Sequence, residues 1–114
     1  MAQWILVPQA AQLEVGAMTC FVAGGQHLIV FRTAEGFFAT DRRCTHQRAD
    51  LARGYFDRDI IECPVHQGRF NVRTGAALSA PASVPLKTYP TRVTDGQVYV
   101  AVEPPPGGGG SLSG

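Results

Sequence analysis

Apolar positions along the chain fall in short runs closed by turn formers, and no run keeps a convincing helical period. Gln3–Val7 (QWILV) is an apolar run ended by Pro8, and Pro8–Glu14 reads as a loop. Ala17–Ala23 (AMTCFVA) is a strand candidate, and Gly24-Gly25 behind it is a hairpin turn signal. His27–Arg32 (HLIVFR) follows as a strand rich in β-branched and aromatic residues. Ala34-Glu35-Gly36 is a second turn, and Phe37–Thr40 (FFAT) a third strand. Tyr55-Phe56 and Ile60-Ile61 flank Asp57-Arg58-Asp59, which reads as a hairpin whose second arm ends at Glu62. Arg69–Val72 is a short strand, Thr74-Gly75 a turn, and Ala76–Pro85, small and broken by prolines, a loop. Leu86–Thr94 alternates as one strand, with Pro90 marking an edge or a bulge. Asp95-Gly96 then turns it back into Gln97–Val102. The pattern predicts an all-β meander.

Composition changes this picture little. A chain of 114 residues is one domain, and 45% hydrophobic with 17% charged residues fits a soluble globular protein. A formal net charge of +1 excludes a strongly basic nucleic-acid binder. No run approaches the length of a membrane span. Met1–Pro8 lacks the features of a secretory signal, so the expected location is the cytoplasm. From Glu103 the composition shifts to Pro104–Pro106, Gly107–Gly110 and Ser-Leu-Ser-Gly, which reads as a flexible tail over residues 104–114.

The candidate chemistry sits in two loops. Cys44-Thr45-His46 lies at the end of the FFAT strand, and Cys63-Pro64-Val65-His66 follows the Ile60-Ile61 arm, with sixteen residues between His46 and Cys63. Each loop offers one thiolate and one imidazole. Without an export signal, cysteines in such loops favour metal ligation over a disulfide framework. Two hairpin-tip loops can pinch one centre between them. In a [2Fe–2S] cluster of this ligand type, Cys44 and Cys63 would hold the buried iron, and His46 and His66 the outer one. Tetrahedral zinc is the rival for a Cys₂His₂ set. Zinc sites usually pair Cys with Cys and His with His, whereas each half here is mixed, and that favours the cluster. Cys20, beside Phe21 and Val22, reads as a buried structural thiol. His27 reads as structural or surface, Trp4 as core or edge packing, and Gln47 as a loop residue within reach of a partner.

The spacing C-x-H, sixteen residues, C-x-x-H resembles the Rieske iron–sulfur motif. CTHQRADLARGYFDRDIIECPVHQGRFNVRTG, Cys44–Gly75, looks like the small Rieske ferredoxins of bacterial aromatic-ring-hydroxylating dioxygenase systems, and the likeness runs over about Gln3 to Glu103. The resemblance implies a Rieske fold: antiparallel β-sheets in a sandwich, with a small cluster-binding subdomain of two loops. It divides the chain into a domain over residues 1–103, with its cluster-binding part at about 41–85, and the tail. It implies one Rieske [2Fe–2S] cluster on Cys44, His46, Cys63 and His66, and a proline loop at Pro81 and Pro85 covering it. It implies a one-electron carrier between a flavin-containing NAD(P)H-dependent ferredoxin reductase and a terminal oxygenase. No catalysis, membrane or small-molecule substrate is expected of the chain itself. A small Rieske subunit of a nitrite reductase-like complex is the second expectation, and a zinc-stabilised interaction module the third.

Departures from the respiratory branch of the family sharpen the expectation. Those proteins bridge the two loops by a disulfide, and the corresponding positions here are Ala49 and Val65, so no bridge forms. They also set a Ser and a Tyr hydroxyl near the cluster, where this chain has Gly68 and Phe70. Fewer hydrogen bonds to the sulfurs leave the reduced form less stabilised, so the expected potential is at the low end of the Rieske range, about −150 mV. Seven arginines against five acids between Asp41 and Gly75 supply a local positive excess that can favour the reduced state or guide a partner.

Overall fold

The unbroken apolar run Leu28–Phe31, inside HLIVFR, decides the layering. The computed structural model describes residues 2–45, 49–65, 67–80 and 84–103. Its strands are β1 (Gln3–Leu6), β2 (Met18–Ala23), β3 (Gln26–Thr33), β4 (Gly36–Asp41), β5 (Tyr55–Asp57), β6 (Ile60–Glu62), β7 (Arg69–Asn71), β8 (Ala77–Ser79), β9 (Thr88–Tyr89), β10 (Thr91–Thr94) and β11 (Gln97–Val102). Among the described residues the helical pieces are two 3-10 turns, Ala10–Gln12 and Leu51–Arg53. Successive side chains of a strand face opposite ways, so a run of consecutive apolar positions must be covered on both faces. In β3, Leu28 and Val30 pack into one core with Val7, Val98 and Val100. Ile29 and Phe31 pack into the other, with Leu51, Ile61 and Phe70. All four β3 side chains are fully buried, and each such burial stabilises by about 1.5–3 kcal/mol.

Three antiparallel sheets build these layers: β1-β11-β10, β2-β3-β4-β9 and β5-β6-β7-β8. The middle sheet carries β3, the first covers its Leu28 face, and the third covers its Ile29 face. Two hairpins turn on the predicted residues. Gly24 and Gly25 have φ of 59° and 79°, and Asp95 and Gly96 of 52° and 75°. Positive φ at both central residues matches the right-handed twist of the flanking strands.

The structure corrects three expectations and settles a fourth between its two alternatives. Leu86–Thr94 is two strands rather than one. Pro90 cannot donate to a ladder, and the chain changes sheets there: β9 pairs with β4, and β10 with β11. Ala76–Pro85 is not all loop, because β8 pairs with β7. The Asn71 side chain accepts from the backbone N–H groups of Arg73 and Thr74, and Gly75 at φ 82° closes the turn that returns β8. Cys20 is half-buried rather than buried. Trp4 is 40% exposed on the edge strand β1, with the Arg92 guanidinium 4.2 Å from its ring centroid, so it packs at an edge and not in the core.

Candidate metal centre

Two strands lead into the cysteine loops, β4 ending at Asp41 and β6 at Glu62. β4 delivers Cys44, and β6 delivers Cys63. Each loop is closed at its neck by a backbone bond. The Cys44 N–H donates to Ala49 O at 3.0 Å, and the Cys63 N–H donates to Gly68 O at 2.7 Å. Each neck also carries an ion pair. Arg42 Nε and Nη2 donate to Asp50 Oδ1 and Oδ2, both at 2.8 Å. Arg69 Nε donates to Glu62 Oε1 at 3.1 Å across the β6–β7 register. The Arg42 guanidinium holds the Asp50 carboxyl below the usual carboxylate range. The Thr45 hydroxyl donates to Val84 O at 2.7 Å, which ties the first loop to the segment before β9.

Cys44 and Cys63 are 4% and 1% exposed, so both thiols lie inside the core formed by Ile29, Phe31, Leu51, Ile61 and Phe70. Neither is in a disulfide. Burial pushes the Cys63 thiol up, and the adjacent Cys44 side chain pushes it further, while the Val65 backbone N–H donates to the sulfur and opposes the rise. Two sulfurs side by side in a dry core are a ready pair of soft donors for a metal centre, and the thiolate, not the thiol, is its ligand. The backbone donor at Val65 suits a sulfur that carries negative charge. The described donors therefore fit a thiolate-bound cluster.

The structure thus brings Cys44 and Cys63 together. His46 and His66 lie outside the described residues, as do Gln47, Pro81 and the tail over residues 104–114. Among the described residues no group of three or more Cys, His, Asp or Glu converges. Gly68 and Phe70 are buried, and neither brings a hydroxyl to the sulfurs. His27 is exposed, in line with a surface role. Sequence reasoning missed the two ion-pair necks. The available signal was a residue of opposite charge on either side of each Cys/His loop: Arg42 and Asp50, then Glu62 and Arg69.

Two cysteine-bearing loops closed over one dry core define a small all-β protein that carries a metal cluster. The chain belongs to the Rieske [2Fe–2S] domain family, whose model matches residues 3–90, and it carries one Rieske-type cluster. Ferredoxin CarAc of Metapseudomonas resinovorans is 42% identical over 101 residues, which span 88% of this chain and 94% of that protein. A solved complex of reduced oxygenase and oxidised ferredoxin in carbazole 1,9a-dioxygenase contains a chain with a TM-score of 0.82 and 41% identity, over 90% of this chain and 95% of that one. A chain assigned as the small subunit of an NADH-dependent nitrite reductase from Mycobacterium tuberculosis has a TM-score of 0.76 at 24% identity, over 90% of this chain and 97% of that one. That second likeness is one of fold alone.

Proposed function

We propose that the chain is the ferredoxin component of an aromatic-ring-hydroxylating dioxygenase system, taking electrons from a flavin-containing NAD(P)H-dependent reductase and passing them to a terminal oxygenase. The observation that carries this reading is the full-length match to a separate ferredoxin, 94% of whose length is covered at 42% identity. The chain is an electron carrier and not the catalytic component. Within it, Cys44 and Cys63 hold the inner iron and His46 and His66 the outer one. The cluster supplies one-electron redox chemistry when bound. The chain's own work is to desolvate the thiolates, to offer the Val65 N–H to sulfur and to hold both loops at their necks. The carrier unit is residues 1–103, with the cluster-binding part at about 41–85, and residues 104–114 are a tail outside it. The carrier works in the cytoplasm, where an NAD(P)H-dependent reductase would reach it; among the described residues no helix is long and apolar enough to cross a membrane.

The test is spectroscopic and then functional. Purified protein should show two irons and two sulfides per chain. On reduction it should give a rhombic electron paramagnetic resonance signal, with a midpoint near the low end of the Rieske range, about −150 mV. The reduced protein should support turnover of an aromatic-ring oxygenase. A colourless zinc protein, or a red protein that passes electrons only inside a nitrite reductase complex, would overturn the reading.

A further inference from the structure

We propose that Arg42 and Asp50 form a charge-balanced positioning pair for the first cluster loop, whose neutrality helps set the potential of the centre; this rests on the cluster ligation proposed above. Ala49 and Val65 leave the loops without a covalent bridge, so the neck of the first loop is restrained by non-covalent contacts. Arg42 and Asp50 make a bidentate ion pair there. Both residues also hold the backbone. Arg42 O accepts from the Leu51 N–H at 2.9 Å, and Asp50 Oδ1 accepts from the Ala52 N–H at 2.9 Å. Arg43 and Asp50 pair as an antiparallel bridge directly beneath the Cys44–Ala49 bond. A planar guanidinium fork fixes orientation as well as distance, which an ammonium cannot do. Cys44 stands two residues after Arg42, and so inherits the orientation of this neck.

The charges give the pair its second role. A unit positive and a unit negative charge sit side by side at the base of the loop and cancel at longer range. Reduction of the centre adds one negative charge, so any uncompensated charge at the neck biases the potential. Removing the carboxylate frees a positive charge and favours the reduced state. Removing the guanidinium frees a negative charge and disfavours it. The pair lines an open cleft of about 620 Å³ with Gln26, His27, Arg43 and Tyr89, so salt screens these shifts.

The experiment uses cluster-loaded full-length protein and four variants: Asp50→Asn, Arg42→Gln, the double variant, and Arg42→Lys. Midpoint potential, resonance line width and the rate of cluster loss to a chelator are read, with melting curves to report folding. Asp50→Asn is expected to raise the potential and Arg42→Gln to lower it, both shifts shrinking with added salt. The double variant should return the potential to near the wild-type value while losing cluster several-fold faster. Arg42→Lys should keep the potential but broaden the resonance, because charge survives and the fork does not. Single variants that shift the potential in one common direction, or leave potential and line width unchanged, would show a pair that serves the fold only. Failure of the ligation reading is separate, since the wild-type protein would then lack the Rieske signal.

Discussion

Tyr89 shows how one side chain keeps the first loop attached to the scaffold. Its hydroxyl donates to Asp41 Oδ1, at the last position of the strand that delivers Cys44. Burial pushes its pKa well above the ordinary tyrosine value, and the Asp41 carboxylate adds to the rise. The folded state therefore resists ionisation that the unfolded chain undergoes near pH 10. This stabilisation is complete below pH 10 and is lost as pH climbs from there towards the folded value. Tyr89→Phe should cost about 1–2 kcal/mol at neutral pH. Urea midpoints taken from pH 8 to 11 should converge for the two proteins at the alkaline end, and a constant gap would sink the idea. At this scale the sequence was only partly legible. Cys44 and Cys63 announce themselves by residue type and spacing. Asp41, Arg42 and Asp50 look like ordinary surface charges until the fold brings their partners to them, and 48 positions separate Asp41 from Tyr89.

Among the elements, the β5–β6 hairpin depends on a single missing methyl. A Cβ built on Gly54 would lie 2.0 Å from Glu62 O and 3.2 Å from Leu51 O. Both neighbours are backbone and cannot swing aside. Gly54→Ala must push β6 away from the Leu51–Arg53 turn, and Glu62 directly precedes Cys63. The expected cost is about 1–3 kcal/mol, with a lower yield of bound iron, read by chemical denaturation and iron content together. An alanine variant as stable as wild type would refute the close approach. The strand pattern itself was well marked in the sequence. HLIVFR, the Gly24-Gly25 and Asp95-Gly96 turns and the QVYVAV return all stand where alternation and turn chemistry put them. The misses share a cause. Pro90 reads as a blemish in one strand when only local pattern is visible, yet its carbonyl accepts from Ala101 in one sheet while Tyr89 before it pairs in another. The short Ala77–Ser79 strand has too little apolar alternation to show itself, and it forms because β7 offers it an edge.

For the whole molecule, the two-faced β3 separates two cores that answer to different forces. The core of Ile29 and Phe31 contains both cysteines, whereas the core of Leu28 and Val30 contains no cysteine among the described residues. Stripping the metal should leave the second core in place and loosen the first, since two buried thiols replace a cross-linked centre. Hydrogen exchange on the iron-free protein should then find amides of β1, β11 and β3 still protected and those of β5–β8 exchanging at least tenfold faster than in the loaded protein. Uniform loss of protection would mean a single cooperative unit. β3 thus works as a bulkhead. A newly made chain can hold half its interior shut while the other half stands open to receive iron, and a carrier that loses its cargo to oxidation keeps a shape that can be refitted rather than one that must be discarded.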